Sequence, residues 1–410
     1  MTGVLSLALV LAGCSSSLNK GATETSGDQV TITYSNFTSN GGNEKNLEKI
    51  VSAFEKENPN IKVKVTTLPY ADYFTTLQTD LASGTVADVF DLEYANYAAY
   101  QNSGVLAPIE GVDMGVYQKS LADAYTTDGK AYALPTSFSN VVLFYNKDLF
   151  DAAGVKYPTA DWTWADEQAA AEKLTDAARG VFGDYQPISY NEYYKAVAQA
   201  GGSLLDTKAS KATFNSPEGK RAAQWLVGKS GTTMPTAEQG AGTPDFDANL
   251  FVDGKLAMWH TGIWMFSSLD KVPFAWDIAV EPGDTTPASA LFSNGVAVSA
   301  NTKHKDAAIK FAYYLTSSDT TVDVRLAAGW ELPTIADQSK LGAYLKLTPP
   351  ESKKVVFDSL EKVALAPSIG DNQAQMQDAI TDALTEAAAG RITVDDALAT
   401  AQQQVDKLLK

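Results

Sequence analysis

The sequence predicts an α/β protein built from two lobes, and three observations support this prediction. The chain has 410 residues, which is enough for two or three domains. Strand-like and helix-like segments alternate along its first part, a pattern typical of a parallel sheet covered by helices. A second alternating series follows, and no long linker separates the two. We therefore expect the chain to cross between the lobes more than once.

The first series contains three strand-like and two helix-like segments. Residues 30–34 (VTITY) are rich in β-branched side chains, and residues 61–65 (IKVKV) alternate with period two, as half-buried strands do. Residues 43–58 place apolar side chains on one helical face and end before a proline, which disfavours helix at the preceding residue. Residues 73–82 predict a second helix and residues 88–92 a third strand. This β-α-β-α-β order implies parallel strands.

The second series predicts another α/β unit. Strand-like runs lie at residues 141–145, 256–259, 276–280 and 296–299, with helical stretches between them. Helical patterns then dominate residues 305–410.

Charge and cysteine content exclude several classes of protein. Lys plus Arg number 32 and Asp plus Glu number 49, so the net charge is −17 and a nucleic-acid partner is not expected. One cysteine and two histidines exclude disulfide frameworks, cysteine-rich zinc sites and multi-histidine metal centres. We expect no metal and no cofactor, and we interpret His260 as a structural residue.

The N-terminal segment predicts attachment to a membrane. Residues 4–12 (VLSLALVLA) are apolar but too short to span a bilayer, which takes about 20 residues. They lead into Leu11-Ala12-Gly13-Cys14, which resembles a bacterial lipobox and implies cleavage before Cys14 and lipid attachment to it. Residues 1–13 are then a lipoprotein signal peptide, and residues 14–28 are a flexible tether because they lack the apolar content of a core. We expect a protein anchored by lipid to the outer face of a bacterial cell membrane.

Catalytic motifs in the chain are incomplete. The nearest match to a phosphate-binding loop ends at Gly228-Lys229-Ser230 but has Ala223 where the first glycine belongs. Near matches to a dinucleotide turn, a nucleophile elbow and a calcium loop each lack an essential residue as well. We therefore predict that the protein is not an enzyme. A secreted enzyme that acts on glycans stays open as an alternative, because its paired carboxylates would come from different strands with no fixed spacing.

Five motifs follow one another along the chain. They are FEKENPNIKV at residues 54–63, SGTVADVF at 83–90, DGKAYALP with FYNKDLF within 128–150, FVDGKLAM with TGIW within 251–264, and GRITVDDAL at 390–398. Together they resemble the extracellular solute-binding proteins of ABC importers, in particular the maltose-binding-protein-like family that binds sugars and oligosaccharides.

This resemblance implies the type II periplasmic-binding-protein-like fold, in which two parallel or mixed sheets flanked by helices are joined by hinge crossovers. Lobe I would comprise residues 29–136 and 301–345, and lobe II residues 137–300 and 346–410. The solute binds in the cleft between the lobes, which close on it, and the membrane permease recognises the closed form. The implied function is a monomeric substrate-binding lipoprotein of an ABC importer that captures a carbohydrate, namely a di- or oligosaccharide.

A cleft for sugars needs flat aromatic surfaces for C–H faces and planar polar groups for pairs of hydroxyls. The resemblance places a stacking ring at Trp264 and another at Tyr190. Residues near the carboxyl ends of predicted strands and near the crossovers complete the expected site. The candidate ligand-binding residues are Trp264, Tyr190, Asn191, Glu93, Tyr94, Asn36, Phe37, Ser139, Asn140, Asn294, Trp330 and Glu331.

A further alternative keeps the fold and changes the solute. Tyr193-Tyr194 and Tyr313-Tyr314 are adjacent phenols, and phenolates bind ferric iron. The late helix, in which maltose-binding members carry an aromatic residue, corresponds here to residues 373–376 (QAQM), which argues against maltodextrin itself.

Overall fold

The computed structural model describes residues 29–409, except residues 41, 207–209, 241–242, 244, 270 and 329. The predicted signal peptide, Cys14 and the tether lie outside the described residues. Within the described ranges, no helix is both long enough and apolar enough to cross a membrane.

Most strands belong to one mixed sheet. The strands are β1 (Val30–Asn36), β2 (Ile61–Thr67), β3 (Val89–Glu93), β4 (Thr126–Thr127), β5 (Lys130–Ala131), β6 (Ala133–Asn146), β7 (Leu205–Asp206), β8 (Lys211–Ala212), β9 (Met258–Gly262), β10 (Trp276–Ala279), β11 (Ser289–Val298), β12 (Leu332–Pro333) and β13 (Val363–Ala364). The sheet order is β10-β6-β11-β3-β1-β2, with β9 and β12 also paired to β6, and β13 paired to β11.

Helices connect and cover these strands. They are α1 (Glu44–Glu57), α2 (Tyr70–Ser83), α3 (Tyr94–Asn102), α4 (Lys119–Ala124), α5 (Lys147–Ala153), α6 (Trp164–Leu174), α7 (Tyr190–Gln199), α8 (Pro217–Gly228), α9 (Ala237–Gly240), α10 (Phe246–Val252), α11 (Lys305–Ser317), α12 (Asp319–Ala328), α13 (Gly342–Leu345), α14 (Val355–Asp358), α15 (Gln373–Ala388) and α16 (Val394–Leu408).

The first lobe is built as its sequence pattern predicts. β1, β2 and β3 are parallel and are connected by α1 and α2, which confirms the β-α-β-α-β series. The apolar face of α1 buries Leu47, Ile50 and Phe54. This face belongs to one core with Ile32 of β1 and Phe311 of α11. The late helix α11 therefore returns to complete a core that begins with the first strand.

The second lobe has a separate core formed largely by helices. Buried side chains of α7, α8, α15 and α16 meet there, represented by Tyr193, Leu226, Ile380 and Leu398. Two cores in different parts of the chain are what a two-lobed α/β fold requires.

The strands β6 and β11 are shared by the two lobes. They run antiparallel, with Ala133 opposite Ala297 at one end and Asn140 opposite Leu291 at the other. The C-terminal half of β11 pairs with β3 of the first lobe, whereas the C-terminal half of β6 pairs with β9 and β10 of the second. The lobe boundaries expected near residues 136, 300 and 345 stay a prediction; β6 spans the first of them, and β11 ends just before the second.

The sequence pattern predicts only the C-terminal part of each shared strand. The predicted strands at residues 141–145 and 296–299 correspond to the ends of β6 and β11, which span fourteen and ten residues. Every residue of β6 except Ser139 is buried, so polar and apolar side chains do not alternate as they do in a half-buried strand. A pattern based on alternation therefore underestimates strands that are covered on both faces.

A buried ionic cluster, which consists of Glu167, Asp184, Lys229, His260 and Glu281, lies inside the second lobe. The Lys229 ammonium is 2.5 Å from Glu167 Oε1 and 2.6 Å from Asp184 Oδ2. His260 joins the two halves of the cluster, since its Nε2 is 2.9 Å from Glu167 Oε1 and its Nδ1 is 2.9 Å from Glu281 Oε2. Ligand atoms of Glu167, Asp184 and His260 lie within 4.8 Å of one another, but the Lys229 ammonium is already paired with both carboxylates there.

The charge of His260 depends on its two carboxylate neighbours. Burial by itself lowers the pKa of His260, but Glu281 and Glu167 outweigh burial and raise the pKa to about 9. The pKa in the folded protein is thus above the unfolded value of about 6.5. The imidazolium therefore stabilises the fold fully below about pH 6.5, and this contribution is lost as the pH rises through about 9.

We predict that His260→Gln removes a pH-dependent part of the stability. The wild-type melting temperature should fall as the pH is raised from about 6.5 to about 9, because up to about 3 kcal/mol from the His260 imidazolium is lost over this window. His260→Gln should melt lower than wild type at pH 6.5, with a flatter pH profile. The control is His304→Gln, at an exposed position just before α11. Equal slopes in the two variants would contradict the assignment.

Candidate ligand-binding site

A cavity of about 1030 Å³ lies between the lobes, beside the shared strands. Its walls come from the β3–α3 junction, from β6 and β11, from α12 and the residues after it, from the 3-10 helix Ile263–Leu269, and from residues 344–353. Ligand cavities typically occupy roughly 300–1,000 Å³. This cavity therefore has room for a ligand of drug size or larger.

Most of the candidate residues from the sequence reach this cavity, and both lobes contribute. Those that line it are Glu93, Tyr94, Ser139, Asn191, Trp264, Asn294, Trp330 and Glu331. Their role as ligand contacts stays a prediction, because lining a cavity and contacting its occupant are different observations.

Trp264 presents an open ring to the cavity. It follows β9 on the 3-10 helix Ile263–Leu269, and its side chain is 52% exposed. One edge is supported by Phe292 at a centroid distance of 5.7 Å. A Cβ added at Gly262 would lie 1.9 Å from the Trp264 ring, so the glycine permits this close approach. Trp259, five residues earlier, is a core residue at 1% exposure.

Polar groups line the cavity as well. Glu93 and Glu331 belong to the first lobe, and Asn294 of β11 donates from Nδ2 to Glu331 Oε1 over 3.2 Å. Burial raises the pKa of Glu93, the hydrogen bond from Tyr70 opposes this shift, and the charge of Glu331 adds to it. Two carboxylates side by side offer several acceptor sites for hydroxyl donors.

Arg325 and Trp330 form a stacked pair at the same wall. The Arg325 guanidinium lies 4.2 Å from the Trp330 ring centroid, and Trp330 Nε1 donates to the carbonyl of Thr38 over 2.9 Å. Trp330 is buried, so it presents much less ring surface than Trp264 does. Arg325 Nη1 lies 3.8 Å from Glu331 Oε2, so the positive charge of the guanidinium partly balances the negative charge of the Glu331 carboxylate.

Asn36 and Phe37 do not line the cavity, although the sequence predicted that they would. Asn36 is buried, and its side-chain amide donates to the carbonyl of Thr66 and to Thr67 Oγ1 over 3.2 and 3.0 Å. Phe37 is buried among the rings of the first lobe, including Tyr73 at 5.0 Å. These two side chains thus contact β2 and α2 instead of the cavity.

Asn140 and Tyr190 are also buried away from the cavity. Asn140 Nδ2 donates to the carbonyl of Val356 over 2.9 Å, which fastens β6 to α14. The Tyr190 hydroxyl donates to the carbonyl of Pro367 over 3.1 Å, and its ring is only 3% exposed. The Tyr190 ring is therefore not open to a ligand in this structure, whereas its neighbour Asn191 does line the cavity.

Sequence reasoning missed several rings and two cations of the site. Tyr70 directly follows the segment after β2, a position at a strand's carboxyl end that could have identified it. Residues 344–353 gave no signal, because a loop contributes to a cavity only through the packing of the whole chain. The missed lining residues are Tyr70, Phe138, Phe266, Arg325, Tyr344 and Lys353.

The tyrosine pairs do not form an iron site in the cavity. Tyr193 is buried, and its hydroxyl donates to the carbonyls of Phe214 and Gly219. Tyr194 is buried in the same core, and Tyr313 and Tyr314 pack against the core of the first lobe. Burial keeps the phenols of Tyr193 and Tyr194 protonated, since it raises the pKa of each above the ordinary range.

Two lobes joined by shared strands, with a cavity between them lined by rings and carboxylates, define the class of two-lobed solute-binding proteins. The sequence profile of the bacterial extracellular solute-binding proteins matches residues 39–322, and the chain belongs to this family. Family membership places the protein outside the cytoplasm and identifies it as a binding protein.

Similar proteins extend over nearly the whole chain. An ABC substrate-binding protein from Listeria monocytogenes, solved in complex with cycloalternan, is 40% identical over 93% of this chain and 99% of its own, with a TM-score of 0.76. The cyclic alpha-maltosyl-1,6-maltose binding protein from Arthrobacter globiformis shares the fold at 24% identity, with 93% and 99% coverage and a TM-score of 0.78. The galactooligosaccharide-binding protein of Bacillus subtilis is 23% identical over 97% of this chain and 95% of its own.

We predict that two tryptophans contribute very differently to stability. Trp264→Ala should lower the free energy of unfolding by only about 1–2 kcal/mol, because about half of the side chain is exposed. Trp259→Ala should cost about 3–5 kcal/mol, because it leaves a cavity in the core. Chemical denaturation of the ligand-free variants measures both values. A large loss for Trp264→Ala would show that its ring serves the core.

Proposed function

We propose that the protein is the solute-binding component of an ABC importer and that it captures a di- or oligosaccharide in the cavity between its lobes. The observation that carries this proposal is the combination of an open indole, Trp264, with the neighbouring carboxylates Glu93 and Glu331. A sugar has an apolar C–H face that suits the ring and a hydroxyl edge that donates to carboxylates. The relatives above, two of which are named for oligosaccharides, support the same class of ligand.

The proposed mechanism is closure of the lobes on the sugar. Lobe I would comprise residues 29–136 and 301–345, and lobe II residues 137–300 and 346–410, with β6 and β11 as the bending connection. Trp264 belongs to one lobe and Glu93 and Glu331 to the other, so the ligand contacts both sets of residues together only when the lobes approach. Ligand contacts that exist only in the closed form shift the population towards it. The closed monomer then docks on the permease and releases its cargo.

We predict that the protein binds oligosaccharides and that Trp264 contributes strongly. Cycloalternan, maltotetraose, galactooligosaccharides and monosaccharides should be screened by thermal shift, because a ligand at 100 times its dissociation constant adds about 2.7 kcal/mol of stability. For the tightest ligand, calorimetry should show a loss of about 2 kcal/mol or more for Trp264→Ala.

Trp264→Phe is the matched control for this experiment, since it keeps a flat ring at the same position and should lose less affinity than Trp264→Ala. Absence of binding across the whole panel would contradict the proposed function. Equal affinity of Trp264→Ala and wild type would remove Trp264 from the binding site.

We further propose that lipid on Cys14 holds the protein at the outer face of the membrane. The lipobox-like Leu11-Ala12-Gly13-Cys14 supports this proposal, and attachment of two or more acyl chains gives stable anchoring. Cys14→Ser should move the protein from the membrane fraction to the medium or periplasm. Wild-type protein should leave the membrane in detergent but not in high salt. A Cys14→Ser variant that stays in the membrane fraction would contradict lipid anchoring.

A further inference from the structure

Exposed apolar surface concentrates at the cavity. Among the residues that the structure describes, the large hydrophobic side chains that are at least about a third exposed are Tyr70, Val252, Trp264, Leu347 and Ile392. Tyr70, Trp264 and Leu347 all line the cavity. Contiguous exposed apolar surface on a soluble protein marks a place where something binds. Tyr70, at 55% exposure, is the first-lobe counterpart of Trp264 on the second lobe.

The Tyr70 ring packs against two other rings and is otherwise exposed to solvent. Tyr70 begins α2, and its ring makes edge contacts with Phe37 and Phe74 at centroid distances of 5.4 and 5.7 Å. Phe37 packs in turn on Tyr73, which is almost fully buried. These contacts fix the ring plane, so stacking on it costs little side-chain entropy.

Tyr70 and the carboxylate of Glu93, the last residue of β3, line the same cavity. Burial raises the pKa of the Tyr70 phenol to about 12, and the nearby Glu93 carboxylate adds to this shift. An ionised carboxylate has about four acceptor sites, so Glu93 can accept from Tyr70 and from a ligand at the same time.

We propose that Tyr70 and Glu93 form a subsite on the first lobe for one pyranose ring of the ligand. The C–H face of the sugar stacks on the Tyr70 ring, and hydroxyls at its edge donate to the Glu93 carboxylate. Tyr70 is both a stacking platform and a positioning residue for Glu93. This inference rests on the proposed function and narrows its ligand to sugars with a closed ring, because an open-chain polyol has no flat apolar face.

The test compares variants of Tyr70 with a matched tyrosine outside the cavity. Tyr157 also donates its hydroxyl to a carboxylate, Asp151 Oδ1 at 2.7 Å, and packs on Tyr145 at 5.4 Å, but it does not line the cavity. The tightest ligand of the panel above is titrated calorimetrically into wild type, Tyr70→Ala, Tyr70→Phe and Tyr157→Ala. We expect roughly tenfold or greater weakening for Tyr70→Ala and no change for Tyr157→Ala. Tyr70→Phe should fall between wild type and Tyr70→Ala.

A double-mutant cycle separates the two roles of Tyr70. If its hydroxyl acts by orienting Glu93, Tyr70→Phe combined with Glu93→Gln should bind no more weakly than Glu93→Gln alone. The ligand-free melting temperature of Tyr70→Phe should match that of wild type, because Tyr70 is largely exposed.

Two negative results are distinguishable. If wild type binds a sugar and Tyr70→Ala binds it equally well, the subsite is overturned while the proposed function stands. If wild type binds no member of the panel, the proposed function is overturned and the subsite with it.

Discussion

The antiparallel pairing of β6 with β11 is the constraint on which the rest of the structure depends. Within the one mixed sheet, the pair connects β3 of the first lobe to β9 and β10 of the second, so both lobes are fixed to one hydrogen-bonded ladder. The register shifts between Asn294 and Gly295, and the glycine lies so close to Tyr125 that an added Cβ would be 2.9 Å from its ring. Asn294, at this irregularity, lines the cavity and donates to Glu331.

Both sides of the cavity combine rings with polar groups. The second lobe supplies Trp264 together with Asn191, and the first lobe supplies Tyr70 together with Glu93 and Glu331. A guest with apolar faces and hydroxyl-rich edges would contact both lobes at once, and contacts made with both lobes together would favour their approach.

The sequence predicted correctly those helices and strands that are determined by interactions between residues close together in the chain. The helix α1 and the strands β1 to β3 followed from periodicity, and Trp264 followed from a family motif at the end of β9. The sequence could not reveal that Asn36 and Tyr190 are buried. Tyr190 is fixed by the carbonyl of Pro367, which lies 177 residues further along the chain. Whether an aromatic or amide side chain serves a cavity or a core depends on such distant partners, and no short motif contains them.

The exposure of Trp264 has an optical consequence. Of the tryptophans that the structure describes, Trp264 is the one with about half its surface in solvent, while Trp164, Trp259, Trp276 and Trp330 are buried. Trp162 and Trp225 are partly exposed. Indole emission shifts with the polarity around the ring, so Trp264 should contribute more long-wavelength fluorescence than the buried tryptophans do. A solute that covered this indole would displace its hydration shell and move that emission to the blue, which would report occupancy without an added dye.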